Sequence, residues 1–166
     1  MVEMHLSAVR VEVPTNTPIL LLQEAGGARR TLPIYVEPNQ ATAIAFALQH
    51  VVTPRPMTHD LMRDLLTELG AEVDCVVITE LRDRTFFAEI RIKQGDRERS
   101  VSARPSDAIA LATRTEATIY AEEALLDAEG VVLEGDEDRE DAPDATELMS
   151  EFRQFIEGVR PEDFGG

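Results

Sequence analysis

The 166-residue chain has one cysteine, one lysine and no tryptophan. An intramolecular disulfide and a cysteine-rich metal site are therefore excluded, and Cys75, which lies in an apolar run, is expected to be a small buried side chain. No run approaches the roughly 20 apolar residues that a membrane-spanning helix needs, and the first residues lack the basic start and apolar core of a secretory signal. We therefore expect a cytoplasmic protein that does not enter a membrane.

Basic residues are scarce relative to acidic ones, and the formal net charge is -16. Phosphate binding depends on Lys and Arg, so this total argues against a large nucleic-acid surface. The acidic excess is unevenly distributed, however, because residues 1–133 carry a net charge of -7 and residues 134–166 carry -9. The overall charge therefore does not exclude a nucleic-acid substrate for the first part of the chain.

The chain length and an apolar content of 43% predict one hydrophobic core, in a domain spanning residues 1–133. Residues 134–145 are highly charged and are expected to form a disordered acidic linker. Residues 146–166 are predicted to form an amphipathic helix and tail, with Leu148, Phe152, Phe155 and Val159 in one stripe. Such a stripe has to be buried on its own domain, on a second copy or on a partner, and we expect a homo-oligomer, most simply a dimer.

Two sets of strands are predicted, each followed by an apolar helix. Alternation around Val9 and the runs that follow predict a three-stranded antiparallel meander with a turn at Gly26 and Gly27. A short strand and one helical turn are expected to complete the domain near Ile119. The other expected elements are a helix at 41–51, a helix at 58–69, strands at 73–79, 85–92 and 99–103, and a helix at 107–114.

The segment EPNQATAIA (37–45) aligns without gaps on RPSDAIALA (104–112), at an offset of 67 residues. Both segments come after three predicted strands and open an apolar helix. This predicts an α+β fold with an internal duplication of a three-strand-plus-helix unit, in which mostly antiparallel sheets pack on buried apolar helices.

The helix that begins near Thr58 has the strongest signal. Thr58 is a candidate cap, Gly70 offers a left-handed stop, and polar residues occupy one face. The apolar side chains form one predicted stripe: Leu61, Met62, Leu65, Leu66 and Leu69.

Two Arg-Pro motifs, RPMTHD (55–60) and RPSD (104–107), precede helix starts. Helix N-termini attract anions, so Arg55 and Arg104 could bind a phosphate there, together with Thr58 and Ser106. A purely structural interpretation explains the same residues, because Thr58 and Ser106 can cap the helices and an aspartate in the first turn complements the helix dipole. The sequence leaves both interpretations open.

A duplicated fold could bring the two motifs together. His59, Asp60 and Asp107 would then suit a divalent cation or general base catalysis, with Arg55 and Arg104 holding a phosphodiester. Glu37 is either a third carboxylate of this site or, as we favour, the ion-pair partner of an arginine.

Four segments, LPIYVEPNQATAIAFAL, RPMTHDLMRDLL, TFFAEIRI and SARPSDAIALA, resemble the bifunctional nuclease family in their order and spacing. The resemblance covers about residues 8–128 and implies an α+β domain and, as in the plant members, hydrolysis of DNA and RNA. The matching positions include Arg55, His59 and Asp60 in one motif and Arg104 and Asp107 in the other. Ser102 departs from the pattern, because many relatives have an acidic residue there.

We therefore expect a nuclease that hydrolyses phosphodiester bonds of DNA or RNA, assisted by Mg or Mn held by Asp60 and Asp107. His59 would act as base or ligand, and Arg55, Thr58, Arg104 and Ser106 would contact the substrate. The alternative is a non-catalytic oligomeric module for interaction or regulation, or an anion or nucleotide sensor.

Overall fold

A computed structural model of the chain describes residues 1–12, 15–133 and 160–164. The described part is an α+β fold of seven strands and four helices. In chain order the elements are β1 (Val2–Glu12), β2 (Thr17–Glu24), β3 (Thr31–Tyr35), α1 (Pro38–Leu48), α2 (Thr58–Glu68), β4 (Glu72–Arg82), β5 (Thr85–Gln94), β6 (Arg97–Ala103), α3 (Pro105–Thr115), β7 (Thr118–Ala121) and α4 (Glu123–Glu129), with a 3₁₀ turn at Pro161–Phe164.

All seven strands form one sheet in the order β3-β2-β1-β7-β4-β5-β6. The predicted antiparallel meander is confirmed: β1 pairs with β2 and β2 with β3, and the turn between β2 and β3 contains Gly27 at φ +68°. The four-residue strand β7 pairs antiparallel with β1 and parallel with β4. This short strand joins both sets of strands into a single sheet, where the sequence had suggested separate ones.

Helices α1 and α3 are the expected buried apolar helices. Residues 41–46 of α1 and 108–112 of α3 are buried throughout. Both helices are 11 residues long and begin at a proline, and their starts are 67 positions apart. Each follows three strands, as the predicted repeat requires, although descent from a duplicated unit stays a prediction.

The core lies between these two helices and the sheet. Burial of each large aliphatic side chain contributes about 1.5–3 kcal/mol, so this layer dominates the stability of the domain. Its largest fully buried members include Leu20, Leu22, Leu32, Ile44, Ile78, Ile109 and Leu111.

Helix α2 packs on α3 along only part of the predicted leucine stripe. His59 is buried and Met62 and Leu66 are half-buried, which is the i, i+3, i+7 spacing of one helix face. The side chains of Leu61, Leu65 and Leu69 are 49%, 52% and 66% exposed. The stripe is therefore wider than the contact with α3, and one row of leucines faces solvent.

The capping roles expected of Thr58 and Ser106 are wrong. Both residues lie inside their helices, whose caps are Met57 and Arg104. Proline at the first position of α1 and α3 moves the start ahead of the polar residue, because its fixed φ suits that place. In α2 the Asp60 carboxylate accepts a hydrogen bond from the Met57 backbone N–H at 2.9 Å.

Cys75 is buried with a free thiol, as expected. No helix within the described ranges is long and apolar enough to cross a membrane. The predicted acidic linker (134–145) and nearly all of the predicted C-terminal helix (146–166) lie outside the described residues.

Candidate active site

The starts of three helices converge on one cavity of about 640 Å³. Helix α1 contributes Asn39 and Gln40, helix α2 contributes Thr58 and His59, and helix α3 contributes Asp107, with its cap Arg104. The first turn of an α-helix leaves backbone N–H groups without intrahelical partners and carries a partial positive charge. Three such starts around one cavity favour the binding of an anion.

His59, Asp107 and Arg104 form a hydrogen-bonded group on the wall of this cavity. The distance from His59 Nε2 to Asp107 Oδ1 is 3.1 Å. Arg104 donates from Nε to Asp107 Oδ2 at 2.7 Å and from Nη2 to Asp107 Oδ1 at 3.1 Å. The structure thus brings together one residue of the RPMTHD motif and two of the RPSD motif.

The ionisation of Asp107 determines which nitrogen of His59 carries the proton. Burial works against the charged carboxylate, but hydrogen bonds from Arg104 and His59 outweigh it, so the pKa of Asp107 lies below its ordinary value. An ionised carboxylate only accepts hydrogen bonds. In its neutral form the His59 ring must therefore donate through Nε2, which leaves a lone pair on Nδ1.

The Nδ1 atom of His59 has no hydrogen-bond partner within the described residues. No buried side-chain nitrogen or oxygen is left without a partner in that part of the chain, so this atom is open to solvent. The histidine is only 8% exposed as a whole and yet presents a free basic nitrogen. This arrangement suits a general base that a carboxylate orients.

Arg104 is the most accessible member of the group, with a side chain that is 64% exposed. The hydrogen bonds to Asp107 raise the pKa of Arg104, so it remains charged. Nε and Nη2 bind Asp107, while Nη1 has no partner within the described ranges and can donate to a ligand.

Asp60 is engaged elsewhere. Its Oδ1 atom accepts a hydrogen bond from Arg114 Nε at 2.5 Å, and it does not line the cavity. The Arg114 side chain is only 4% exposed and also donates to the carbonyl oxygens of Ala110 and Ala43. Asp60 and Arg114 therefore tie α2 to α3 and α1, and a catalytic or metal-binding role for Asp60 stays a prediction.

Arg114 is the important residue that the sequence interpretation missed. It is the one basic residue in the otherwise small and apolar run AIALATR, at i+7 from Asp107 and therefore on nearly the same helix face. That position is the only signal the sequence contains for its role.

The remaining predicted site residues are more dispersed. Arg55 is exposed, and its guanidinium has no partner among the described residues and does not line the cavity. Ser106 is buried and lines a neighbouring cavity, together with Glu37. Glu37 forms no ion pair within 4 Å in the described part of the chain, so the favoured contact with an arginine is not present there. Its charge does attract Arg104 from a longer distance and adds to the rise in the pKa of Arg104. Ser102 is exposed on β6 and lines neither cavity.

The carboxylates proposed as metal ligands do not fit that role in this arrangement. Asp60 and Asp107 are each paired with an arginine. In residues 1–12, 15–133 and 160–164, no group of three or more His, Cys, Asp or Glu side chains could hold a metal ion. A divalent cation therefore stays a prediction.

Known proteins are similar in sequence to this chain over most of its length. A protein of Mycobacterium tuberculosis described as uncharacterized is 42% identical over 163 residues, which cover 98% of this chain and 97% of the relative. Bifunctional nuclease 2 of Arabidopsis thaliana is 30% identical over 115 residues, which cover 68% of this chain and 35% of the relative. Bifunctional nuclease 1 of the same plant is 28% identical over 148 residues, or 87% of this chain and 44% of the relative.

The chain thus matches less than half the length of these two plant relatives and nearly all of the mycobacterial one. The family model for the bifunctional nuclease domain matches residues 20–134, from β2 to the end of the described domain. The match contains all three helix starts and the group formed by His59, Arg104 and Asp107. The chain belongs to the bifunctional nuclease domain family.

Proposed function

We propose that the chain hydrolyses phosphodiester bonds of DNA or RNA, with His59 as general base. The observation that carries this proposal is the convergence of three helix starts and the His59–Asp107–Arg104 group on one cavity. The family contains proteins named bifunctional nucleases, which supports the same reaction class.

Phosphodiester hydrolysis requires donors that bind the phosphate and a base that removes a proton from water, and residues of this cavity can provide both. The first-turn amides of α1, α2 and α3 and the free donor of Arg104 bind the non-bridging oxygens of the phosphate. His59 Nδ1 accepts a proton from a water molecule, and Asp107 stabilises the imidazolium that forms. The water oxygen bonds to phosphorus, the P–O ester bond breaks, and the departing oxygen takes a proton from solvent.

This mode of binding also accounts for activity in an acidic chain. A nuclease that binds one phosphate through helix starts needs fewer basic residues than a protein that binds along a duplex. The chain is therefore expected to contact one phosphodiester and its nearest neighbours, and not a long stretch of the nucleic acid.

The test is cleavage of fluorescein-labelled single-stranded DNA and RNA by the purified chain and by Asp107→Asn. An asparagine cannot hold the imidazolium electrostatically, and we expect the cleavage rate to fall at least about 100-fold. Asp64→Asn is the matched control, because Asp64 is exposed on α2 and pairs only with its neighbour Arg63. Equal rates for Asp107→Asn and the parent chain would remove the site from consideration, whereas phosphate binding without turnover would favour an anion sensor.

Metal assistance is tested in the same assay. Activity is measured after chelation and again after addition of Mg or Mn. Full activity in the chelator supports direct catalysis by His59. Strict dependence on the cation would show that ligands other than the paired Asp60 and Asp107 have to be found.

A second candidate function is that of an oligomeric interaction module, and the exposed row formed by Leu61, Leu65 and Leu69 favours it. Solvent-exposed leucines in a continuous helical row are typical of a surface that another chain covers. We propose self-association as a homodimer through this row. It is tested by measuring the molar mass in solution of the parent chain and of Leu65→Glu.

A further inference from the structure

A second cavity of about 450 Å³ adjoins the proposed active site, because Gln40 and Arg104 line both. Its walls come from the end of β3, the starts of α1 and α3, and the hairpin between β4 and β5. If a phosphodiester binds at Arg104, a nucleoside attached to it would therefore lie next to this second cavity.

The wall of the second cavity contains two aromatic rings. Tyr35 is 56% exposed, and its hydroxyl group donates to Glu12 Oε1 at 3.0 Å, which fixes the ring at the end of β3. Phe86 is half-buried on β5, and Pro105 adds a further apolar surface. The chain has only eight Phe and Tyr residues in total, so two of them at one cavity beside a phosphate site indicate a platform on which a base can stack.

The rim of this cavity contains an arginine in an unfavourable backbone conformation. Asp83 and Arg84 form the two-residue turn between β4 and β5, with φ values of 50° and 61°. Such turns favour Asn and Gly, because other side chains are strained at positive φ. The Arg84 guanidinium is exposed and, among the described residues, has no hydrogen-bond or ion-pair partner. A strained residue with a free charge at the edge of a cavity is a candidate for ligand binding.

We propose that this second cavity binds the base of the nucleotide next to the phosphate that is cleaved. The base stacks on Phe86 and Tyr35, and Arg84 binds the following phosphate of the strand. A base enters such a cavity only when it is unpaired, so the substrate class is single-stranded nucleic acid. This inference rests on the proposed function and extends it to the choice of substrate.

The test compares two single strands with the same backbone, a fluorescein-labelled thymidine decamer and an abasic decamer, in both binding and cleavage. We expect the parent chain to prefer the thymidine strand, and Phe86→Leu to reduce that preference about tenfold. Tyr35→Leu is a second variant that removes the other aromatic ring of the cavity. Because Tyr35 is exposed, this substitution should have little effect on folding. Phe87→Leu is the matched control. Phe87 follows Phe86 in β5, so its ring lies on the opposite face of the sheet, where the guanidinium of Arg82 is 4.4 Å from the ring centroid.

Arg84→Gly separates binding from folding. Glycine relieves the strain at positive φ, so a higher or unchanged midpoint of thermal unfolding is expected together with weaker binding of the thymidine strand and a smaller salt dependence. Unchanged binding by Arg84→Gly overturns the role of Arg84.

The outcomes distinguish this inference from the proposed function. If the parent chain binds both strands equally, or if Phe86→Leu and Phe87→Leu behave alike, the base site is overturned even where cleavage is observed. If the chain prefers the thymidine strand through Phe86 but cleaves neither strand, the base site is supported and the proposed hydrolysis fails. If it neither binds nor cleaves either strand, both are overturned.

Discussion

Replacement of Asp60 by alanine separates the structural role of this residue from a catalytic one. The Asp60→Ala variant leaves Arg114, whose side chain is 4% exposed, without its counter-charge. It also removes the acceptor for the Met57 N–H at the start of α2. The structure therefore predicts a large loss of stability from this substitution.

The magnitude follows from these two losses. Removal of one partner of a buried ion pair costs about 3–5 kcal/mol, and loss of a helix cap costs about 1 kcal/mol. The Asp60 side chain is 23% exposed, so water compensates part of the first loss. We expect the free energy of unfolding to fall by about 3 kcal/mol and the melting temperature by about 10 °C.

The assay is urea unfolding of the parent chain, Asp60→Ala, Arg114→Ala and the double variant. A coupling energy above about 1 kcal/mol between the two positions is expected. Asp64→Ala, an exposed acidic residue on the same helix, should change stability by less than about 0.5 kcal/mol. If Asp60→Ala unfolds like the parent chain and loses cleavage activity as fully as a His59 variant does, Asp60 has a catalytic and not a structural role.

Three further predictions concern the active site and its surroundings. Because the pKa of Asp107 is lowered in the folded chain, its charge stabilises the fold at pH values above the ordinary aspartate pKa. This contribution to the free energy of unfolding is lost as the pH falls through the lowered pKa. In urea unfolding, Asp107→Asn should therefore make stability depend less steeply on pH at the acid end. Arg104→Ala should lower the affinity for inorganic phosphate about tenfold in calorimetric titration. Arg104→Lys should retain only part of the parent chain's affinity, because a lysine lacks the planar guanidinium that can bind Asp107 and a ligand at the same time. If the leucine row mediates self-association, Leu65→Glu should convert a dimer to a monomer in light scattering, and an identical mass for both chains would rule that surface out.

Local patterns in the sequence predicted most of the elements. Alternating apolar residues gave the strands, and the two Pro-initiated apolar segments gave the buried helices α1 and α3. These features depend on the chain within a few residues of each position, and local chemistry decides them. Strand β7 pairs with residues of β1 and β4 that precede their partners in sequence by the whole of α3 and more. No local pattern specifies such a pairing.

The sequence predicted several residues that line the candidate site, but it did not predict their contacts or the exclusion of Arg55, Asp60 and Ser106 from this cavity. The sequence placed His59 and Asp107 at two helix starts, and the structure brings the side chains within hydrogen-bonding distance across 48 residues. Asp60 has the same local setting as Asp107 but pairs with Arg114. The side chain of His59 reaches the cavity and the start of α3, whereas that of Asp60 reaches Arg114 near the end of α3. Adjacent residues on a helix point about 100° apart, so the orientation of α2 decides which of them can take part in catalysis.

Chemical rescue is the most direct test of whether His59 is the base for phosphodiester hydrolysis. Cleavage of a single-stranded DNA is measured with the parent chain and with His59→Gly, each with and without added imidazole. If His59 is the base, His59→Gly is slower by at least about 100-fold, and imidazole that enters through the cavity restores part of the lost rate. Cleavage by His59→Gly at the parent rate without imidazole would show that His59 is not the base.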